Sequence, residues 1–295
     1  MMRSVVLGAC LVVMFGGVAV ADDAVEVFIY GERQQLEPPA VVRDGVVYLP
    51  VRAIAEAVGA EVTYLPHGQA VVVCSGERCT DMPNEQSIEI NGRILVPLEV
   101  LDEALDVEID WYPESGQVAV RSGAVGMKAA PIVLPGVSGP YSRTSFDDKA
   151  AVVVVFWANH CPTVQRYEER FVRLVADYLP RNVEFVAVGS NDGERYPADN
   201  FENMKLRAAE KGYNFFYVRD ESQQVARAYG PERTPDVFLV NSDGFVVYRG
   251  RIEDAEDPAQ VTRHDLREAL DELLAGASIT VRETPPHGCT IKWKQ

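Results

Sequence analysis

From Ala150 to Trp157 the chain is almost continuously apolar, as a strand buried on both faces must be. Residues 162–178 then change to helical spacing, with Val164, Tyr167, Phe171, Leu174, Val175 and Tyr178 on one broad face. Val183–Val188 predicts a second buried strand. Asn200–Lys211 predicts a helix stopped by Gly212, and Gln223–Tyr229 a short one. Val237–Val240 and Phe245–Tyr248 flank Asn241-Ser242-Asp243-Gly244 as a hairpin, and Thr262–Leu274 reads as a last helix before Gly276. The order β–α–β–α–β–β–α predicts an α/β domain with a central mixed sheet flanked by helices.

The first part of the chain follows a different pattern, and it occurs twice. Gly45-Val46-Val47-Tyr48-Leu49-Pro50-Val51 aligns with Gly92-Arg93-Ile94-Leu95-Val96-Pro97-Leu98. At the same offset Ile54 matches Leu101, Ala57 matches Ala104, Tyr64 matches Trp111, and Pro66 matches Pro113. Each copy predicts a short strand ending at proline, an amphipathic helix of two to three turns, and a hairpin. Pro66-His67-Gly68 marks the turn of the first hairpin. Lone hairpins are marginal, so two copies are expected to share a core as a smaller α+β domain over 25–122. Residues 123–130, small and without periodicity, predict a linker, leaving 131–295 for the α/β domain.

Ahead of both, Met1-Met2-Arg3-Ser4 is a short basic start and Val5–Val20 carries no charge. Ala19-Val20-Ala21 offers the small residues of a signal-peptidase site. The apolar run is short for a membrane span, which needs about 20 residues. Leu7-Gly8-Ala9-Cys10 resembles a lipobox, but the apolar run continues well past it. The expectation is a secretory signal over 1–21, cleaved near Asp22, with the chain periplasmic or extracellular.

With 295 residues the chain has room for two domains. It carries 28 basic and 44 acidic residues, a formal net charge of −16, which repels phosphate backbones; nucleic acid is not an expected partner. Past the leader four cysteines remain, Cys74, Cys79, Cys161 and Cys289, and export permits pairing. Cys74 and Cys79 bracket four residues after a strand, and a structural disulfide is expected there.

The segments "DGVVYLPVRAIAEAVGAEVTY" and "NGRILVPLEVLDEALDVEIDW" resemble the copper amine oxidase N-terminal-like domain, an extracellular module often duplicated on secreted bacterial proteins. No copper chemistry follows, since His67 is the only histidine of this half and a metal site needs several converging donors. The resemblance implies a recognition or spacer module with a cell-envelope ligand.

Phe156-Trp157-Ala158-Asn159-His160-Cys161 resembles the thioredoxin active site, where Phe-Trp-Ala leads to the attacking cysteine; Arg233-Thr234-Pro235-Asp236 resembles the cis-proline turn facing it. "NHCPTVQRYEERF", "GSNDGERYPADNFENMK", "TPDVFLVNSDGFVVYRGRIED" and the ending "PPHGCTIKWK" are similar to a peroxiredoxin-like branch of the thioredoxin superfamily, related to the alkyl hydroperoxide reductase and thiol-specific antioxidant proteins. The resemblance implies a thioredoxin-like fold and a thiol oxidoreductase without cofactor, taking a protein or small-molecule disulfide and an external thiol reductant.

Cys161 is then the reactive thiol, at a helix start where unpaired N–H groups favour negative charge. His160 is a source of nearby positive charge, and Pro235 after Thr234 shapes the groove. Arg233 faces either a thiolate, a substrate anion or a carboxylate. Three departures matter. Val164 stands where thioredoxins carry a second cysteine, and Val154 and Ala158 stand where true peroxiredoxins carry a proline and a Thr or Ser. A peroxidase is accordingly the least favoured reading. Cys289 is either a resolving thiol or a structural cysteine in a docked tail. Asp192, Asp199, Asp220 and Glu221 read as helix and loop caps, and His264 as a surface residue. A thioredoxin scaffold kept only for binding is the alternative to catalysis.

Overall fold

The computed structural model describes residues 23–64, 71–82 and 84–295. The expected leader over 1–21 and the turn carrying His67 lie outside the described residues.

The first domain contains strands β1 (Asp23–Ile29), β2 (Glu32–Gln34), β3 (Ala40–Arg43) and β4 (Val46–Pro50), then helix α1 (Val51–Ala57). Strands β5 (Glu61–Tyr64), β6 (Val71–Ser75), β7 (Arg78–Met82), β8 (Ile88–Ile90) and β9 (Arg93–Pro97) follow. Helix α2 (Leu98–Ala104) and strands β10 (Glu108–Tyr112) and β11 (Gln117–Arg121) complete it. Each of the two matching segments contains a strand, a two-turn helix and an antiparallel strand pair, but the pairs go to different places. β10 and β11 join the large sheet, ordered β10-β11-β1-β3-β4-β9-β8, whereas β5-β6-β7 form a small sheet apart. The difference follows from β1, which has no counterpart in the repeat and pairs in parallel with β11. One apolar core of Val27, Leu49, Ile54, Val73, Leu101 and Val118 serves both segments. Cys74 and Cys79 face each other across β6 and β7 and are bonded.

The second domain begins with a hairpin that the apolar pattern does not announce, β12 (Ile132–Gly136) and β13 (Gly139–Arg143). Then come β14 (Ala151–Phe156), α3 (Pro162–Tyr178), β15 (Val183–Gly189), α4 (Phe201–Lys211) and β16 (Phe216–Arg219). The chain continues with α5 (Gln224–Tyr229), β17 (Arg233–Thr234), β18 (Asp236–Asn241), β19 (Val246–Gly250), α6 (Asp265–Leu274) and β20 (Cys289–Thr290). The last helix starts three residues later than its periodicity suggests, because Thr262 is held outside it by the Asp254 carboxylate. The sheet runs β13-β12-β16-β15-β14-β18-β19, with β14 parallel to β15 and antiparallel to β18. Alternation along β14 splits the core into two layers. Val153, Val155 and Trp157 meet Phe171 of α3, Met204 of α4 and Leu270 of α6. Val152, Val154 and Phe156 meet Ala226 and Tyr229 of α5 and Ile132 of β12. This is the thioredoxin-like mixed sheet that the element order predicts.

Residues 123–130, expected as a linker at the domain boundary, lie against the second domain. Val125 is buried, Gly126 N–H donates to Val246 at 2.7 Å, and Val246 N–H returns to Met127 at 2.9 Å. The segment is pinned to β19 by main-chain bonds, which composition does not report. Phe28 stacks on Phe245 at 4.3 Å, and Asn241 donates to the Gly31 carbonyl at 2.8 Å, so the two domains share an ordered seam.

Candidate active site

β14 carries its apolar side chains to the top of the sheet, and the chain turns there through Ala158, Asn159 and His160 into α3. Cys161 is the residue before the first helical turn, with extended backbone angles and Pro162 in the first helical position. Proline suits that position, since its missing N–H has no intrahelical partner to lose. Of the remaining N–H groups of the first turn, that of Val164 acts on the sulfur.

Opposite lies the short strand β17, closed by a cis Thr234–Pro235 peptide bond. The Cys161 Sγ is fully buried and lies 3.1 Å from the Thr234 carbonyl, which accepts from the thiol in its protonated form. Burial by itself raises the Cys161 pKa. The Thr234 side chain, the Val164 N–H and the side chain and backbone of Cys289 outweigh it and hold the thiol below its ordinary value.

Cys289 comes to this point from 128 residues further along the chain. β20 pairs antiparallel with β17, placing Cys289 against Thr234 and Thr290 against Arg233. Both cysteines are free, Cys289 packs against the core cluster that contains Cys161, and each acts on the titration of the other. Burial, then the hydrogen bond and charge of Cys161, push the Cys289 thiol up to about 11. Cys289 therefore holds its proton more tightly than Cys161 does.

His160 does not stand as a free cation beside the thiol. Its ring Nδ1 pairs with the buried Asp199 carboxylate, its main-chain N–H donates to Asp199 Oδ1 at 3.2 Å, and its ring stacks on Tyr196 at 5.1 Å. The hydrogen bond to Asp199 raises the His160 pKa. Asp199 is itself pulled up by burial, but its bonds from His160 and Asn191 hold it below the ordinary carboxylate range. Asp199 is therefore not the helix cap its position suggests; Asn200 caps α4 through the Asn203 N–H.

The other carboxylates behave as caps or surface partners. Asp192 accepts from the N–H groups of Glu194 and Arg195, and Asp220 from Ala226 N–H in the first turn of α5. Glu221 pairs with Arg219 and Lys294. His264 is half exposed against Glu253. Arg233 meets neither thiolate nor carboxylate: its Nη1 donates to the Gly288 carbonyl at 3.0 Å, holding the tail. Sequence spacing does not disclose Asn191 or Gln223, which secure residues beyond Cys289; the signals that point there are the segments "GSNDGERYPADNFENMK" and "RDESQQVARAYG", both similar to the peroxiredoxin-like branch. Among the described residues no cluster of His, Cys, Asp or Glu is arranged to hold a metal.

A family model described as Redoxin matches residues 124–270, the stretch that contains β14, Cys161 and the cis-proline turn. A crystal structure of an uncharacterized conserved protein from Geobacillus kaustophilus is 42% identical, with a TM-score of 0.54, over 57% of this chain and 91% of that one. The chain belongs to the Redoxin family. A hypothetical protein from Sinorhizobium meliloti 1021 is 35% identical with a TM-score of 0.53, over 57% of this chain and 93% of that one. Residues 28–88 match the family model of the copper amine oxidase N-terminal domain, so the β-rich first domain precedes the Redoxin domain on one chain. No curated protein matches the chain.

Proposed function

We propose that this protein is an exported thiol–disulfide oxidoreductase in which Cys161 attacks and Cys289 resolves. The observation that carries the reading is the meeting of two free thiols across the Thr234–Pro235 turn, one held below its ordinary pKa and the other above it.

The Cys161 thiolate attacks one sulfur of a substrate disulfide; the Cys161–substrate bond forms, the substrate S–S bond breaks, and the departing thiolate takes a proton from solvent. Cys161 then carries no charge, so the charge-dependent part of the hold on the Cys289 proton is released. Cys289 loses that proton and attacks Cys161 Sγ, forming Cys161–Cys289 and expelling the second substrate thiolate. The substrate gains two electrons, and an external dithiol returns the pair to its reduced state. Val164 explains why the second thiol comes from the tail: the first turn of α3 offers none. With Val154 and Ala158 where peroxiredoxins carry a proline and a Thr or Ser, disulfide exchange is favoured over peroxide reduction.

Export is supported by the apolar leader and by the Cys74–Cys79 bond, which persists in oxidising compartments. The first domain, over 25–122, acts in this reading as a recognition or spacer module toward a cell-envelope ligand. Full burial of Cys161 supports a second reading, a thioredoxin scaffold that binds a partner without turnover.

The test is reduction of bis(2-hydroxyethyl) disulfide with dithiothreitol, together with mass mapping of the full chain after mild oxidation. A Cys161–Cys289 bond, and activity lost in Cys161→Ser, support the oxidoreductase. Activity that survives Cys161→Ser removes Cys161 from the chemistry. An alkylation profile of Cys161 with the pKa of a free thiol, near about 8.5, together with no turnover, supports the scaffold.

A further inference from the structure

We propose that the C-terminal strand is a built-in occupant of the polypeptide-docking edge beside Cys161, so that the site admits small disulfides and excludes protein disulfides. The proposal rests on Cys161 being the reactive thiol and adds the substrate class.

An extended polypeptide commonly binds by adding a strand to a free main-chain edge. Here the edge nearest the sulfur is β17, whose Thr234 carbonyl is 3.1 Å from Cys161 Sγ. That edge is already paired with Cys289 and Thr290. The approach is too close for any side chain at the preceding residue. Gly288 has φ +133°, and a Cβ added there would lie 2.0 Å from the Thr234 oxygen. Arg233 fastens the same point by donating to the Gly288 carbonyl.

Beyond the thiol the tail is held by side chains that are themselves buried. Asn191 Oδ1 accepts from Lys292 N–H at 2.8 Å, and Asp192 N–H donates to the Lys292 carbonyl at 2.8 Å. Gln223, in left-handed backbone, donates from Nε2 to the Lys292 carbonyl at 2.9 Å and accepts from Lys294 N–H at 2.9 Å. Ile291 is buried between these anchors. Asn191 also donates to Asp199, so the tail clamp and the His160 carboxylate share one side chain. A tethered strand acts at an effective concentration of about millimolar, on the order of a thousandfold above a micromolar polypeptide competing for its place. A small disulfide does not need the strand edge. An open cleft of about 670 Å³, lined among others by Arg166, Glu256 and His287, flanks the tail two residues before Cys289.

Gly288→Ala in the full chain, and separately truncation after Ile291, loosen the strand without touching either thiol. Dithiothreitol-coupled rates with bis(2-hydroxyethyl) disulfide and with insulin give the selectivity. The unaltered chain is expected to favour the small disulfide, and the insulin-to-small ratio to rise by at least about tenfold in both variants, a fraction of the tethering advantage. An unchanged ratio in both variants overturns the proposal. In a Cys289→Ser background, alkylation of Cys161 by iodoacetamide and by a polyethylene-glycol maleimide measures access without turnover. Loosening should accelerate the bulky reagent more than the small one; equal acceleration overturns the proposal. Failure to reduce either disulfide, with the alkylation contrast present, refutes the oxidoreductase reading while supporting the tail as a cover.

Discussion

Replacing Cys161 by serine changes the environment of Cys289 in a way that can be read directly. The Cys289 thiol lies at about 11, raised first by burial and then by the hydrogen bond and charge of Cys161. At pH 8 a thiol with that pKa is ionised to about one part in a thousand, against about one quarter for an unperturbed thiol near 8.5. Only the thiolate reacts with iodoacetamide, so Cys289 in the unaltered chain should alkylate on the order of two hundred times more slowly than a free thiol. Cys161→Ser removes the neighbouring charge and leaves the burial. The fall in pKa is therefore partial, and one unit restores reactivity by about tenfold. Cys74 and Cys79 are bonded and do not react, so a mass-spectrometric time course of the Cys289 peptide follows one event. Initial rates exclude the contribution from chains already alkylated at Cys161. Alkylation of Cys289 at the rate of a free thiol, or a rate unmoved by Cys161→Ser, would refute the influence of Cys161 on the Cys289 proton and with it the ordering of attack and resolution.

Three further outcomes follow from the same geometry. The His160–Asp199 pair gives stability a defined pH window. The raised His160 contributes fully below its ordinary 6.5 and loses that contribution as pH rises through its folded value; the depressed Asp199 contributes fully above its ordinary 3.8 and loses it on acidification through its own. The destabilisation caused by His160→Ala, measured by urea unfolding, should accordingly be greatest between these two values and shrink in alkali; a loss independent of pH contradicts the pairing. Substituting both Cys74 and Cys79 by serine should cost about 2 kcal/mol, from the short ring it opens, and leave Cys161 alkylation unchanged; altered Cys161 kinetics would contradict its separation from the site. Phe28→Ala removes a fully buried ring from the seam between the domains. A loss of about 3 to 5 kcal/mol in urea unfolding is expected, with new proteolysis near Gly123–Gly126; unchanged stability would show that the stack does not hold the domains together.

Much of this molecule is legible along the chain because its strongest signals are local. The apolar run into Trp157, the heptad-like face of α3 and the glycine stops fix two of the buried elements and their order, since burial on both faces or on one is written in side-chain periodicity. The cysteine before Pro162 and the Thr234–Pro235 turn are legible for the same reason, as each is a short motif at an element boundary. The edge hairpin β12–β13 and the docking of residues 123–130 are not, because they are held by main-chain bonds that any residue type can make. Asp199 shows a further limit. A carboxylate before a helix looks like a cap, and only the packing of that loop against Asn159 and His160 turns it toward an imidazole.

What the sequence alone determined is which groups exist: one thiol at a helix start, one near the end of the chain, and no second cysteine within the turn. Whether those two sulfurs meet depends on a pairing between residues 233–234 and 289–290. Its register is set by a glycine with no room for a Cβ and by side chains from two other loops. Distances along a chain do not add up to distances across a fold, so that meeting belongs to the tertiary structure alone.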